Sequence, residues 1–268
     1  MNTTAKKPLY VFDLDGVITH PHDSSVDIQA VESIRLLLDQ GNYVAINTGR
    51  SYQWVEAHLL SALKTAAPPF DRLFIACEKG GESIKWHQGK FIPQPSRFAL
   101  ADDLHRKAHL AFKSHMSQFS TMFWDATKVT MATIEKHPHA DLDQFKNEQR
   151  QLVTMLREVF ASHDVRIDPT TIATDVESPR AGKHAGAELI HEWIEDLYGD
   201  GQKHYVSFGD SKSDYEMARY FADSGNESTF VFVGGKHETF NEHADVTLIR
   251  TNAEYAAGTN EYFSLLRA

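Results

Sequence analysis

Short apolar runs of strand length alternate with amphipathic helical stretches in both end portions of this chain, and the alternation breaks off in the middle. Leu9 to Phe12, Tyr43 to Ile46 and Leu73 to Cys77 are brief and continuously apolar, as strands buried on both faces must be. Between the first two, a helix opens at Ser24-x-x-Asp27 in the manner of a capping box. It turns Ile28, Val31, Ile34 and Leu38 inward and stops at Gly41. A second helix runs from Ser51 to about Lys64 with Trp54, Val55, Leu59 and Leu63 inward. Parallel strands need crossover helices, so this rhythm predicts a Rossmann-like parallel sheet with helices on its faces.

The middle of the chain has another rhythm. Ile84 to Trp86 and Phe91 to Pro93 flank a His-Gln-Gly turn and read as a hairpin. A helix over about Phe98 to Gln118 precedes strand-like runs at about Phe119 to Asp125 and Lys128 to Glu135. A helix from about Leu142 to Ala161 and runs at His163 to Ile167 and Thr171 to Glu177 repeat that order. Helix–strand–strand, twice, predicts a small antiparallel sheet with helices on one face. From Gly182 the first rhythm resumes: a helix to about Leu197, a strand from Tyr205 to Phe208, and a helix from about Ser213 to Phe221. Strands at Phe230 to Val233 and Val246 to Ile249 and a helix over Glu261 to Arg267 close it. The expected organisation is an α/β core of residues 1–82 and 179–268, with 83–178 inserted as an α+β domain.

Charge narrows the partners. The 268 residues carry 37 acidic and 27 basic side chains, a formal net charge of −10. Such a surface repels nucleic acid and anionic lipid, while a small anion can still be held in a local cationic pocket. Cys77 is the single cysteine, so neither an internal disulfide nor a multi-thiolate zinc site can form. The sequence shows no signal-peptide apolar region and no apolar run near ~20 residues, so a soluble cytoplasmic protein is expected.

Polar chemistry gathers where strands end or helices begin. Phe12-Asp13-Leu14-Asp15-Gly16-Val17 leaves the first strand with two carboxylates two residues apart. Asn47-Thr48-Gly49-Arg50 ends the second strand with a hydroxyl beside a turn. Lys183 stands near the start of a helix, before Ala185-Gly186-Ala187. Gly209-Asp210-Ser211-Lys212-Ser213-Asp214 follows a late strand. Open α/β sheets bind ligands in the crevice beyond their strand carboxyl ends. Taken singly, each of these residues has a plainer reading as a helix cap or turn residue.

Together and in this order, the four stretches resemble the motifs of the haloacid dehalogenase superfamily: Asp-x-Asp-Gly-Val/Thr, a Ser/Thr after a strand, a Lys, and Gly-Asp-x-x-x-Asp. The resemblance covers about residues 8–80 and 180–268. The phosphatases and phosphomutases of the family carry Asp where Asp15 stands; the dehalogenases do not, and the ion-pumping ATPases carry Thr. Asp15 therefore points away from carbon–halogen chemistry. The resemblance implies Asp13 as nucleophile on phosphorus and Asp15 as general acid and base. Thr48 is implied as donor to a phosphoryl oxygen, and Lys183 as the cation neutralising phosphate and nucleophile. Asp13, Asp15, Asp210 and Asp214 in one pocket would raise one another's pKa values without a compensating cation. Mg²⁺ suits that need, and the implied ligands are the Asp13 carboxylate, the Asp15 carbonyl and Asp210. Asp214 is expected to orient a metal-bound water or Lys183.

An insert between the second and third motifs resembles the type-two cap, of αββαββ order. That subgroup holds Cof-like, sucrose-phosphate, trehalose-phosphate and mannosyl-phosphoglycerate phosphatases and the eukaryotic phosphomannomutases. Cys77-Glu78-Lys79-Gly80-Gly81 resembles their Glu-Asn-Gly stretch, with Lys79 in place of Asn, or of the His of the trehalose-phosphate enzymes. Such a cap would exclude water and read the non-phosphate part of the substrate. Gly49, Arg50, Glu78, Lys79, Arg180 and His184 are expected near the mouth, with Trp124 and Asp125 reaching from the cap. His105 and His109, four apart on a helix, have metal-binding spacing but no companion ligands, and a solvated helix face explains them better. His20 and His22 follow Asp15 without a signal of their own.

The resulting expectation is a Mg²⁺-dependent phosphomonoester hydrolase for a small metabolite, a sugar or polyol phosphate. A phosphomutase of the same cap class is the nearest alternative, although Thr48-Gly49-Arg50 and Gly-Asp-Ser-x-x-Asp resemble the phosphatase forms. A silent domain that binds a phosphorylated ligand is the other.

Overall fold

A computed structural model of the chain describes residues 7–64, 68–199, 201–235 and 238–267. It divides into two compact units, Met1–Gln94 with Gly182–Ala268, and Pro95–Ala181.

The first unit is built on an eight-stranded sheet of order β12-β11-β10-β1-β2-β3-β4-β5. In chain order its strands are β1 (Leu9–Phe12), β2 (Tyr43–Asn47), β3 (Leu73–Cys77), β4 (Glu82–His87) and β5 (Lys90–Pro95), then β10 (His204–Gly209), β11 (Glu227–Phe232) and β12 (Val246–Arg250). From β12 through β3 the pairings are parallel; β4 turns antiparallel against β3. All four residues of β1 are buried, and alternate ones face opposite ways. Tyr10 and Phe12 join a core with α1 (Ile28–Asp39), the helical stretch over 52–64 and α8 (Ala256–Arg267). Leu9 and Val11 join one with α6 (Lys183–Tyr198) and α7 (Lys212–Asp223). A strand walled on both faces cannot tolerate polar side chains until it ends, which is why Asp13 comes directly after Phe12.

Three local features differ from the sequence reading. The N-cap of α1 is Asp27, whose carboxylate accepts from the Ala30 amide; Ser24 takes no part in the cap. Ile28 on the same helix is 72% exposed instead of inward. The helix over 52–64 is split into α2 (Tyr52–Val55) and α3 (Ser61–Lys64) by a π-helical turn, Glu56–Leu60.

The second unit contains α4 (Asp102–His115), β6 (Met122–Trp124), β7 (Ala132–Lys136), α5 (Leu142–Val159), β8 (Arg166–Pro169) and β9 (Ala173–Glu177). Its four strands form an antiparallel sheet of order β6-β7-β9-β8. Ala108, Phe112, Phe145, Leu152 and Leu156 from the helices pack on Met122, Ala132, Ile134 and Val176 from the sheet. This is the αββαββ order, but it begins at Pro95 and not at residue 83. The β4–β5 hairpin belongs to the first unit because Ile84 sits opposite Ile75 in the sheet and Trp86 and Phe91 pack against Phe70.

Trp124 packs on a helix of its own unit. Its ring stacks on His109 at 4.7 Å and meets His105 edge-on at 5.3 Å. The histidine pair thus has an aromatic packing role rather than a solvated face. Asp125 folds back on its own turn, accepting from the Thr127 amide and hydroxyl. Among the described residues no helix is long and apolar enough to cross a membrane.

Candidate active site

Three adjacent parallel strands, β10, β1 and β2, end side by side, and each delivers one motif. The Asp13 amide donates to the Phe208 carbonyl at 3.0 Å, carrying the β1–β10 ladder one residue past the strand and aiming the Asp13 carboxylate out of the sheet end. Gly16 turns the chain away with φ of +72°. A side chain there would also strike Asp210 Oδ2 at 2.3 Å, so glycine is required twice over.

Lys183 arrives from the first turn of α6 and is the hub. Its ammonium donates to Asp13 Oδ1, to the Asn47 carbonyl at 2.7 Å, and lies 2.8 Å from Asp214 Oδ1. The Asn47 side-chain amide donates in return to the Lys183 carbonyl at 2.7 Å. Burial by itself would push the ammonium pKa down, but the carboxylates of Asp13 and Asp214 outweigh it and hold the pKa above the usual lysine value.

Asp214 is itself held from behind. Its Oδ2 accepts from the amides of Asp210 and Ser211 and from the Ser211 hydroxyl at 2.6 Å. Ser211 and Asp214 form a reciprocal capping box at the start of α7. One residue therefore caps a helix and steers the buried lysine.

The carboxylates outnumber the cation. Donor oxygens of Asp13, Asp210 and Asp214 all lie within 4.8 Å of one another. Burial, then the Asp214 charge, raise the Asp13 carboxyl well above its usual range despite Lys183. The same two causes push Asp210 up to about 7. One ammonium leaves this pocket with surplus negative charge in a poorly solvated place. Hard oxygen donors, clustered and short of positive charge, fit a hard divalent cation.

Thr48 is fully buried, and its Oγ1 accepts from the Arg50 amide at 3.0 Å. That bond orients the hydroxyl and leaves its proton to point elsewhere. Arg50 itself clasps Asp15: Nη2 donates to Oδ1 at 2.7 Å, and Nε reaches Oδ1 at 3.1 Å and Oδ2 at 3.0 Å. The loop of Gly49 is tied to the end of β3, because the Glu78 amide donates to the Arg50 carbonyl and the Lys79 amide to that of Thr48. Glu78 and Lys79 hold positive φ values of 51° and 56°, and the Lys79 carbonyl accepts from Gly182.

Asp13, Lys183, Asp210 and Asp214 thus come together, while Thr48 and Arg50 are joined to Lys79 and Glu78 by backbone bonds and Arg50 holds Asp15. His184 lies on the exposed face of the first turn of α6, its ring against Gly182. Arg180 belongs to the second unit, where its guanidinium stacks 4.8 Å over Phe98. His20 pairs with the Asp27 carboxylate at 3.4 Å, at the N-cap of α1. Asn47 was not foreseen as a site residue. Its signal was an amide at the end of an apolar strand, because a fully buried amide needs partners.

Residues 10–152 match the family model of the haloacid dehalogenase-like hydrolases. No curated protein matches the sequence. Solved structures match the fold at low identity. The C-terminal domain of a Candida albicans trehalose-6-phosphate phosphatase is 15% identical with a TM-score of 0.68, covering 97% of this chain and 92% of its own. A trehalose-6-phosphate phosphatase of Aspergillus fumigatus is 18% identical with a TM-score of 0.57 over the same shares, 97% and 92%. A haloacid dehalogenase-like hydrolase of Bacteroides thetaiotaomicron is 13% identical with a TM-score of 0.63, over 97% of this chain and 100% of its own.

Proposed function

The chain belongs to the haloacid dehalogenase-like hydrolases, and from that premise we propose that it is a Mg²⁺-dependent phosphomonoester hydrolase of a small sugar or polyol phosphate. One observation carries the reading: a buried lysine bridges the Asp13 and Asp214 carboxylates where three parallel strands end, with Asp15 two residues further on.

An Asp13 oxygen attacks phosphorus and displaces the substrate oxygen, giving an aspartyl-phosphate. Asp15 gives its proton to the departing oxygen, then takes one from the water that hydrolyses the phosphoenzyme. Lys183, pinned by Asn47 and Asp214, holds the Asp13 oxygen in line, and its charge works against the burial that raises the Asp13 carboxyl. The Thr48 hydroxyl, oriented by the Arg50 amide, donates to a phosphoryl oxygen. Asp13, Asp210 and the Asp15 carbonyl would hold Mg²⁺, with Asp214 orienting Lys183. Bound there, the ion supplies positive charge for the phosphoryl oxygens. The second unit, with its αββαββ order, is the specificity cap. Trehalose-6-phosphate phosphatases share the fold, and this supports a sugar phosphate as the substrate class.

The test is a Mg²⁺-dependent phosphate-release screen over phosphorylated metabolites, with Asp13→Asn as the control. Free inorganic phosphate from a sugar or polyol phosphate is expected, and Asp13→Asn should retain the fold without turnover. Isomerisation that needs a bisphosphate activator, or turnover by Asp13→Asn, would overturn the reading.

A further inference from the structure

Arg50 was expected at the mouth of the site as a substrate contact. Its side chain does something else here. The guanidinium grips the Asp15 carboxylate from the side, with Nε between both oxygens and Nη2 on Oδ1 at 2.7 Å. Nη2 also donates to Ser24 Oγ at 3.0 Å, and the guanidinium lies 4.9 Å over the Trp54 ring. Arg50 is therefore braced by the loop that follows β1 and by α2, which follows β2. The Asp15 side chain is 46% exposed and would otherwise sample several rotamers. A planar donor fork held on two sides selects one of them, which a flexible point charge cannot do.

We infer that Arg50 is a positioning residue that sets the direction in which Asp15 presents its carboxyl group to the reacting oxygen. The inference rests on the phosphatase reading above. In the first half-reaction the Asp13–phosphorus bond forms, the phosphorus–oxygen bond to the leaving group breaks, and the leaving oxygen takes the Asp15 proton. In the second, Asp15 takes a proton from water as that water breaks the aspartyl-phosphate. Both transfers need Asp15 within hydrogen-bond reach and in line. Releasing the carboxylate from Arg50 costs geometry in both.

Leaving-group dependence separates this role from substrate binding. kcat/KM reports only the steps through departure of the leaving group. p-Nitrophenolate departs with little help from an acid, whereas phenolate and alkoxides need the proton. Arg50→Ala leaves the Arg50 backbone amide on Thr48, so the phosphate donor is untouched. The experiment measures kcat and KM for wild type, Arg50→Ala and Arg50→Lys over ring-substituted phenyl phosphates of similar size, with Mg²⁺ present and folding checked by circular dichroism. For Arg50→Ala we expect kcat/KM to fall about 100-fold on phenyl phosphate and by no more than about threefold on p-nitrophenyl phosphate. With p-nitrophenyl phosphate kcat and KM should fall together, preceded by a burst of p-nitrophenol, because dephosphorylation has slowed. Arg50→Lys should lie between the two. Equal losses across the series with a raised KM would assign Arg50 to substrate binding and overturn the inference alone. If wild type releases no phosphate from any ester, the phosphatase reading fails and takes the inference with it.

Discussion

Asn47 and Lys183 hold each other at both ends: the lysine ammonium donates to the asparagine carbonyl, and the asparagine amide donates to the lysine carbonyl, each at 2.7 Å. The pair joins the end of β2 to the first turn of α6, across 136 residues of sequence. It locks the cation and the helix that carries it in one arrangement. Asn47→Ala removes one of the two bonds and leaves the other carbonyl buried. We expect a loss of about 1–3 kcal/mol in urea unfolding and about tenfold in kcat, with KM little changed. Unchanged kcat would show that Lys183 holds its place without Asn47.

Close packing enforces the same junction. A Cβ on Gly186 would meet Asn47 Oδ1 at 2.0 Å. Gly186→Ala must displace the asparagine or the helix, at a cost of about 1–3 kcal/mol. Thermal unfolding measures the cost. A variant as stable as wild type would mean that the α6–β2 contact yields freely.

Asp214 links the helix cap to the lysine, so Asp214→Asn should act on both. The charge that faces Lys183 goes, and one acceptor of the Ser211 and Asp210 donors weakens. We expect kcat to drop about 100-fold and stability to drop by about 1 kcal/mol. Loss of stability without loss of kcat would reduce Asp214 to a helix cap.

The surplus charge of the carboxylate pocket makes a prediction for the metal. Mg²⁺ should raise the unfolding temperature of wild type, because it binds the folded pocket and not the unfolded chain. Asp210→Asn should lose most of that rise. EDTA should abolish phosphate release and Mg²⁺ should restore it. An unfolding temperature indifferent to Mg²⁺ in wild type would argue against the site.

Glu82 supplies a pH dependence away from the metal ligands. Burial, and then the Glu78 charge, push its carboxyl up to about 7. The folded state binds this proton more tightly than the unfolded chain does. Its contribution is fully present below the ordinary carboxylate range and is lost as pH rises through about 7. Glu82→Gln mimics the protonated form. It should unfold like wild type near pH 4 and be more stable by on the order of 1 kcal/mol near pH 8. A stability difference independent of pH would refute the assignment.

Much of this was legible in the residues themselves. The positions of β1, β2, β3 and β10 followed from their apolar runs, since strands walled on both faces leave little place for polar side chains before the sheet edge. The β4–β5 hairpin was assigned to the insert because its turn looks like any other; only its pairing with β3 shows that it continues the core sheet. Ile28 fitted the helical period and still lies in solvent, because period says which face is apolar and not how far the neighbouring elements extend.

The sequence by itself determined which polar residues stand at strand ends and helix starts: Asp13, Asp15, Thr48 and Asp210 follow strands, and Lys183 and Asp214 lie in first helical turns. Tertiary structure alone decided their partnerships. Arg50 turns to Asp15, 35 residues away, and Asn47 to Lys183, 136 residues away. The reason is physical. Backbone geometry and burial act within a few residues and leave a periodic trace in the chain. The reach of a charged side chain across adjacent strands depends on strand order and register, which no local pattern encodes.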